Sequence, residues 1–256
     1  MPETVPTVLT RLHYEKAAQS YLRSLPLEHY KEALPQGTQR KITLESMDLV
    51  HAARPAVQTF NEMLVQYPKP KGKIGQVVPD NMVAVHDHPL RVAGSYDTIY
   101  QPVAPFWVME YVSKSSERKD YDDNMQKYER DLKVPYYLLF YPDNEELTLF
   151  RHGKKLVRYL SVKPNRQGRL ALPELDMEVA LLGGWTRFWF KGELLPLPAD
   201  LQRDLTEARR HLTEARHQLH AMARENEQLR GEVEQSRHAH QTLEEDLSRL
   251  RAERKV

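Results

Sequence analysis

"PFWVMEYVSKSS", residues 105–116, is the stretch of sequence that decides the fold. Residues 106–109 are continuously apolar, which is typical of a strand buried on both faces of a sheet. Glu110 interrupts this run, and two further apolar residues then resume it. A carboxylate in such a strand is costly unless another group compensates its charge. The stretch therefore predicts a buried strand and raises the question of what compensates Glu110.

The composition narrows the class of protein. The 256 residues include no cysteine, which excludes disulfide bonds and thiolate metal sites and suits a reducing cytoplasm. No apolar segment has the length of a signal peptide or of a membrane span. We therefore expect a cytoplasmic protein with no membrane partner. Because the net charge is only +1, binding to nucleic acid would require a local basic patch.

The chain changes character near residue 198. From Leu201 to Val256 there is no proline and no aromatic residue, and the segment is dense in Arg, Glu, Gln and His. The prolines at 196 and 198 form a stiff joint, because proline blocks the continuation of a strand or a helix. Asp200 then occupies the place of a helix N-cap. We predict a globular domain over residues 1–198 and a C-terminal coiled coil over residues 199–256.

Within the globular domain, helical and strand patterns alternate. The helices are predicted at residues 8–22, 42–67 (one or two helices) and 116–132. The strands are predicted at residues 77–85, around Glu110, in "VPYYLLFYP", in a hairpin of "ELTLFRH" with "KKLVRYLSV", and in "GWTRFWFKG". This alternation predicts an α/β fold with a mixed sheet and helices on its faces.

Two acids are candidates for chemistry. Asp80 follows a proline at the start of one predicted strand, and Glu110 lies inside the next. If these strands are neighbours, the two carboxylates come close together and suit Mg²⁺, which accepts a site of one or two acids, waters and substrate phosphate. The ordinary alternative is that each acid caps a turn or pairs with Lys or Arg.

Three segments, taken in order, carry a family resemblance. "VVPDNMVAV", "FWVMEYVSKSS" and "KDYDDNMQKYERDLKVPYYLLFYPDNEELTLFRH" resemble the bacterial Uma-two family of putative restriction endonucleases, within the PD-(D/E)XK nuclease superfamily. The resemblance implies a restriction-endonuclease-like α/β fold over roughly residues 40–198. It also implies a DNA endonuclease that hydrolyses phosphodiester bonds with Mg²⁺ or Mn²⁺, and Asp80 and Glu110 as catalytic metal ligands.

The sequence departs from the superfamily pattern at the catalytic lysine. The lysine two residues after the glutamate falls on Val112, and the substitute lysine of relatives, four residues before Tyr128, falls on Asn124. Lys127 and Lys114 are therefore the candidate lysines, and Asn124 is a candidate for orienting a water. The alternative is that both lysines are ordinary solvated residues.

The missing lysine keeps a second function open. A nuclease-like fold that has lost catalysis would serve as a DNA-binding or assembly module, and hydrolysis of another phosphate ester is a third possibility. Basic spots in loops, "KPKGK" at residues 69–73 and "HGKK" at residues 152–155, are candidates for gripping phosphates, although most such spots are merely solvated.

The C-terminal segment carries an unbroken heptad pattern. Residues at alternating spacings of 4 and 3 begin with Leu201 and Leu205, and the a positions are Leu205, Leu212, Leu219, Asn226, Val233, His240 and Leu247. Asparagine at one a position favours a dimer in a single register. In a parallel pair, charges at g and e attract: Asp204 with Arg209, Glu225 with Arg230, Glu232 with Arg237, Asp246 with Arg251. We predict a parallel homodimer through residues 201–254, with a different coiled-coil partner as the alternative.

Overall fold

The structure is a computed structural model that describes residues 8–25, 34–112, 123–153 and 158–253. The chain forms two compact units, Met1–Leu197 and Pro198–Val256. Within the described residues, no helix is both long and apolar enough to cross a membrane.

The first unit contains two α-helices and thirteen strands among its described residues. The helices are α1 (Val8–Ser24) and α2 (Leu34–Ala53). The strands are β1 (Val57–Asn61), β2 (Val65–Pro68), β3 (Ile74–Val77), β4 (Asn81–Val85), β5 (Tyr96–Asp97), β6 (Trp107–Tyr111), β7 (Tyr136–Tyr141), β8 (Glu146–His152), β9 (Tyr159–Ser161), β10 (Leu170–Leu172), β11 (Met177–Leu182), β12 (Trp185–Phe190) and β13 (Glu193–Leu194). Short 3-10 turns lie at Pro70–Gly72 and Pro173–Leu175, and a π-helical turn lies at Lys127–Asp131.

The strands form three sheets. The main sheet has six strands in the order β1-β4-β6-β7-β8-β9, and only β6 and β7 run parallel within it. A four-stranded antiparallel sheet has the order β10-β11-β12-β13, and a small sheet has the order β3-β2-β5. Parallel neighbours require a crossover connection, and the π-helical turn lies in the connection between β6 and β7.

Strand β6 separates two hydrophobic layers. Trp107, Met109 and Tyr111 face the layer that contains residues of α2 and of the four-stranded sheet. Val108 and Val112 face the opposite layer, which contains Tyr128 and part of the small sheet. Because side chains alternate along a strand, Glu110 lies on the same face as Val108. This alternation places the acid beneath the connection between β6 and β7.

The predicted mixed α/β fold is confirmed, with one clear error. Helix α2 ends at Ala53, and β1 and β2 occupy the second half of the helix predicted over residues 42–67. Pro55 explains the break, because proline lacks a backbone donor and disfavours helical conformation in the residue before it. The apolar residues at 57, 60 and 64 imitate helical spacing by coincidence.

Other predicted elements agree in part. Residues 77–85 divide into the end of β3 and all of β4, and "GWTRFWFKG" belongs to a sheet whose other strands the sequence did not suggest. The hairpin of β8 and β9 is confirmed. Part of the helix predicted at 116–132 lies outside the described residues.

The second unit is one long helix, α3 (Pro198–Glu253). Its 56 residues span about 84 Å at a rise of 1.5 Å per residue. The helix begins two residues before the predicted cap at Asp200, because proline fits the first helical position, where no backbone donor is needed. The long helix is confirmed, whereas its association as a coiled coil stays a prediction.

Candidate active site

The structure brings Asp80 and Glu110 side by side. Strands β4 and β6 are antiparallel, and Asn81 pairs with Met109 at the last rung of their ladder. Asp80 precedes Asn81 and Glu110 follows Met109, so the two acids occupy the next position beyond this rung. The backbone N–H of Asp80 donates to Glu110 Oε2 at 3.2 Å. Asp80 is partly exposed, whereas Glu110 is only 4% exposed.

Glu110 accepts hydrogen bonds from three groups among the described residues. Besides the Asp80 N–H, Tyr128 Oη donates to Glu110 Oε1 at 2.7 Å and Asn124 Nδ2 donates to the same oxygen at 3.2 Å. Hydrogen bonds from three donors compensate a buried negative charge. These donors answer the question that the apolar run around Glu110 raises.

The helical segment that ends in the π-helical turn at Lys127–Asp131 carries two of these donors, Asn124 and Tyr128. Leu132 N–H donates to Lys127 O at 2.9 Å, five residues back. Such turns are rare and frequently occur at functional sites. Tyr128 is fully buried, and burial together with the nearby charge of Glu110 raises its pKa well above the ordinary tyrosine value. The phenol therefore keeps its proton and acts as a donor to Glu110.

Tyr111 holds Asp80 from the other side. Its backbone N–H donates to Asp80 Oδ2 at 2.7 Å, and its phenol donates to the side-chain oxygen of Asn81. The Tyr111 phenol also lies 3.1 Å from Thr43 Oγ1 in α2. Burial raises the pKa of Tyr111 above the ordinary tyrosine value and outweighs the opposing effect of the hydrogen bond with Thr43. These contacts anchor the start of β4 to β6, directly beside the acids.

The sequence did not identify Tyr111, Asn81 or Thr43 as part of the site. Strand alternation predicts that Tyr111 faces away from Glu110, but no sequence signal pairs it with α2. Tyr128, used only as a reference point in the sequence, proves to be a direct partner of Glu110.

The candidates for the missing lysine have different positions. Val112 is 2% exposed and belongs to an apolar cluster, so its position offers no charged group. Lys127 Nζ lies 3.4 Å from Asn124 Oδ1, and Asn124 in turn contacts Glu110. Lys127 is thus linked to the acid through one intervening side chain. Lys114 lies outside the described residues.

The carboxylate oxygens of the site are suitable ligands for a hard cation. Two carboxylates on neighbouring strands are oxygen ligands of the kind that Mg²⁺ accepts together with waters. Among the described residues, no group of three or more His, Asp or Glu side chains gathers into a metal-binding cluster. A metal at this site would therefore be held by Asp80 and Glu110 and would complete its shell with water or substrate oxygens.

Comparison with known proteins gives a family. The model of Uma2, described as "Putative restriction endonuclease", matches residues 35–181. The chain belongs to the Uma2 family. This confirms the resemblance carried by the three sequence segments, and the Uma2 match includes Asp80, Glu110, Asn124, Lys127 and Tyr128. Strands β12 and β13 and helix α3 lie outside it.

Comparison with curated proteins and solved structures adds less. No curated protein matches this Uma2 sequence. One solved structure that is similar to it is a putative nuclease belonging to DUF820 from Anabaena variabilis ATCC 29413. The sequence identity is 16%, the TM-score is 0.39, and the alignment covers 57% of this chain and 77% of that chain.

Proposed function

We propose that this Uma2 protein is a metal-dependent endonuclease that hydrolyses phosphodiester bonds of DNA. The observation that carries the proposal is the pairing of Asp80 and Glu110 at the ends of neighbouring strands, 3.2 Å apart from backbone nitrogen to carboxylate oxygen. Three donors compensate the charge of Glu110 and orient its carboxylate, and an oriented carboxylate beside a second acid suits a divalent cation. Membership in a family described as "Putative restriction endonuclease" supports DNA as the substrate.

The residues of the site have distinct proposed roles. Asp80 and Glu110 would hold Mg²⁺ or Mn²⁺, and the bound ion would activate water and stabilise charge on a phosphoryl oxygen. Asn124 and Tyr128 orient Glu110 through their hydrogen bonds. Lys127 extends from the same turn on a flexible stem, which allows its ammonium group to approach a phosphate and favour the negative charge that develops there.

A nicking assay on supercoiled plasmid tests this proposal. With Mg²⁺ or Mn²⁺, the wild type and a matched Asp143→Ala control, whose exposed acid lies in the turn after β7, should both nick the plasmid. Asp80→Ala and Glu110→Ala should not. Metal-dependent nicking that survives both substitutions would refute the assignment of the site. DNA binding without nicking by the wild type would favour the catalytically inactive module, for which the buried Val112 is the supporting observation.

We also propose that α3 forms a parallel homodimer. Among the side chains of α3 that the structure describes, nine large apolar ones are exposed: Leu201, Leu205, Leu212, Leu219, Met222, Leu229, Val233, Leu243 and Leu247. All nine fall on a or d positions. Such a continuous seam is unfavourable in water, and burying roughly half of a leucine side chain contributes about 1 kcal/mol.

Charge supports a second copy as the partner. Within the described part of α3, the salt bridges join residues outside the four predicted g–e pairs, such as Arg210 with Glu214 at 3.0 Å. Among the described side chains of α3, Glu225 and Glu232 have no salt-bridge partner. In a parallel pair each would meet an arginine of the partner five residues further along, at the positions of Arg230 and Arg237.

Light scattering of the full chain tests the homodimer. Leu219 is 71% exposed, so Leu219→Glu removes no buried contact within the single chain. We expect this substitution to convert the dimer into a monomer at micromolar concentration, whereas Ala221→Glu on the outer face leaves the dimer intact. A monomeric wild type, or equal masses for the two variants, would contradict the proposal.

A further inference from the structure

A groove with basic side chains lies next to the proposed active site. Its volume is about 390 Å³, and it is lined by Lys69, Asp123, Gln126, Lys127, Arg130 and Asp131. Two separate parts of the sequence form it. Lys69 comes from the basic loop after β2, and the other lining residues belong to the helical segment that precedes β7.

The basic loop lies against this segment. Lys69 Nζ lies 3.2 Å from Asp131 Oδ2 and 5.8 Å from the centre of the Tyr67 ring. The ion pair holds the ammonium group of Lys69 at the edge of the groove. The sequence showed only a basic spot in a loop, and the fold places this spot beside the π-helical turn of the site.

Lys127 connects the groove to the acid pair through Asn124. Lys127 lines the groove, and its ammonium group lies 3.4 Å from Asn124 Oδ1. Asn124 donates to Glu110, so only one side chain separates the groove from the proposed metal ligand. A DNA strand whose scissile phosphate lies at the acids would therefore bring a neighbouring phosphate towards this groove.

The charges in the groove favour an anion. Three cationic side chains face two carboxylates, and the carboxylate of Asp131 is already paired with Lys69. Arg130 has a side chain that is 70% exposed, and it forms an ion pair with Glu129 at 3.8 Å. An exposed pair of this kind contributes little, so a phosphate can replace it with two parallel hydrogen bonds from the guanidinium group.

We propose that this groove binds a backbone phosphate of the DNA strand adjacent to the cleaved bond, with Lys69 and Arg130 as the contacting residues. The inference rests on the proposed function and adds to it the path of the substrate. Contacts to phosphate carry no sequence information and set the position of the strand.

Binding measured without cleavage tests the groove. Fluorescence anisotropy of a labelled duplex in EDTA gives the affinity of the full chain over a range of salt concentrations. Each phosphate contact makes the slope of log K against log salt more negative by about 0.9 for duplex DNA. We expect the Lys69→Gln/Arg130→Gln double variant to bind more weakly and to reduce the magnitude of this slope by about 1 to 2.

A matched control removes the same charges elsewhere. Lys163→Gln/Arg166→Gln changes two exposed residues between β9 and β10 and should leave the slope within about 0.3 of the wild type. If the groove double variant does not fold, Arg130→Gln alone, which alters an exposed side chain, should still reduce the magnitude of the slope by about 1.

The outcomes separate the groove from the catalytic proposal. Equal slopes for the groove and control variants, or a wild type that does not bind DNA, would overturn the groove. Plasmid nicking by the same proteins is read independently. If the groove variant has a slope of smaller magnitude but the wild type does not nick plasmid, the groove proposal stands and the endonuclease proposal fails. If the wild type nicks plasmid but the groove variant has an unchanged slope, the endonuclease proposal stands and the groove proposal fails.

Discussion

Tyr128→Phe tests whether Glu110 is a charged carboxylate in the folded protein. The substitution removes the hydroxyl that donates to Glu110 Oε1 at 2.7 Å and leaves the aromatic ring in place. A hydrogen bond to a charged acceptor contributes about 1.5–3 kcal/mol to stability, compared with about 0.5–1.5 kcal/mol for a bond between neutral groups. We therefore expect Tyr128→Phe to lower the free energy of unfolding by about 2 kcal/mol.

Tyr159→Phe is the matched control. Tyr159 is also buried, and its hydroxyl donates at 2.9 Å to a neutral acceptor, the backbone oxygen of Val134. Its loss should lower the free energy of unfolding by only about 1 kcal/mol. Both values come from urea unfolding followed by tryptophan fluorescence. All three tryptophans lie before residue 198, so the signal reports the first unit alone.

The two variants should also differ in activity. Tyr128→Phe leaves Glu110 with fewer donors to orient it, and we expect nicking to slow by roughly tenfold, which corresponds to about 1.4 kcal/mol. Tyr159→Phe should nick at the wild-type rate. Equal destabilisation by the two substitutions would mean that Glu110 is neutral in the folded protein, and the reasoning from a compensated charge would fail.

Three further predictions concern the site and the contact between the sheets. Mg²⁺ at ten times its dissociation constant should stabilise the wild type by about 1.4 kcal/mol in a thermal shift assay, and Asp80→Ala should abolish this gain. Lys127→Ala should slow nicking while changing stability by no more than about 0.5 kcal/mol, and an unchanged rate would move its role to another residue. Burial raises the pKa of Glu174, but hydrogen bonds from Tyr136 and Arg151 hold it below the ordinary value of 4.5. The ionised form therefore stabilises the fold above pH 4.5, and the contribution is lost as the pH falls through the lowered pKa. Because Glu174 is 43% exposed, Glu174→Gln should cost only about 0.5 kcal/mol at pH 7, and urea titrations should show this difference closing in acid.

The position of each acid on its strand could be predicted from the sequence because it depends on local rules. The continuous apolar run around Glu110 predicts a buried strand, and a proline followed by Asp80 predicts the start of another. The structure places these two residues on neighbouring strands, as expected. The assignment of metal ligands stays a prediction.

The contacts that hold the acids in place could not be predicted from the sequence, because they depend on tertiary packing. Helix α2 brings Thr43 to Tyr111 across 68 residues of sequence, and no local pattern encodes this contact. The π-helical turn adds a residue to the ordinary helical repeat, so an ordinary helical spacing does not place Lys127 correctly. Strands β1 and β2 were missed because their apolar residues also satisfy a helical spacing.

Because the Tyr111 amide donates a hydrogen bond to Asp80, the rate at which this amide exchanges with deuterium depends on the state of the acid pair. The ladder between β4 and β6 has its last paired rung at Asn81 and Met109, and beyond it the Asp80 carboxylate takes the place of a backbone carbonyl. Protection of this one amide against exchange with deuterium therefore depends on a side chain rather than on the sheet. A ligand that draws the Asp80 carboxylate away would speed exchange at the Tyr111 amide and leave exchange at the amides of β7 unchanged. The exchange rate of this single amide would therefore show whether the site is occupied, in the absence of any substrate.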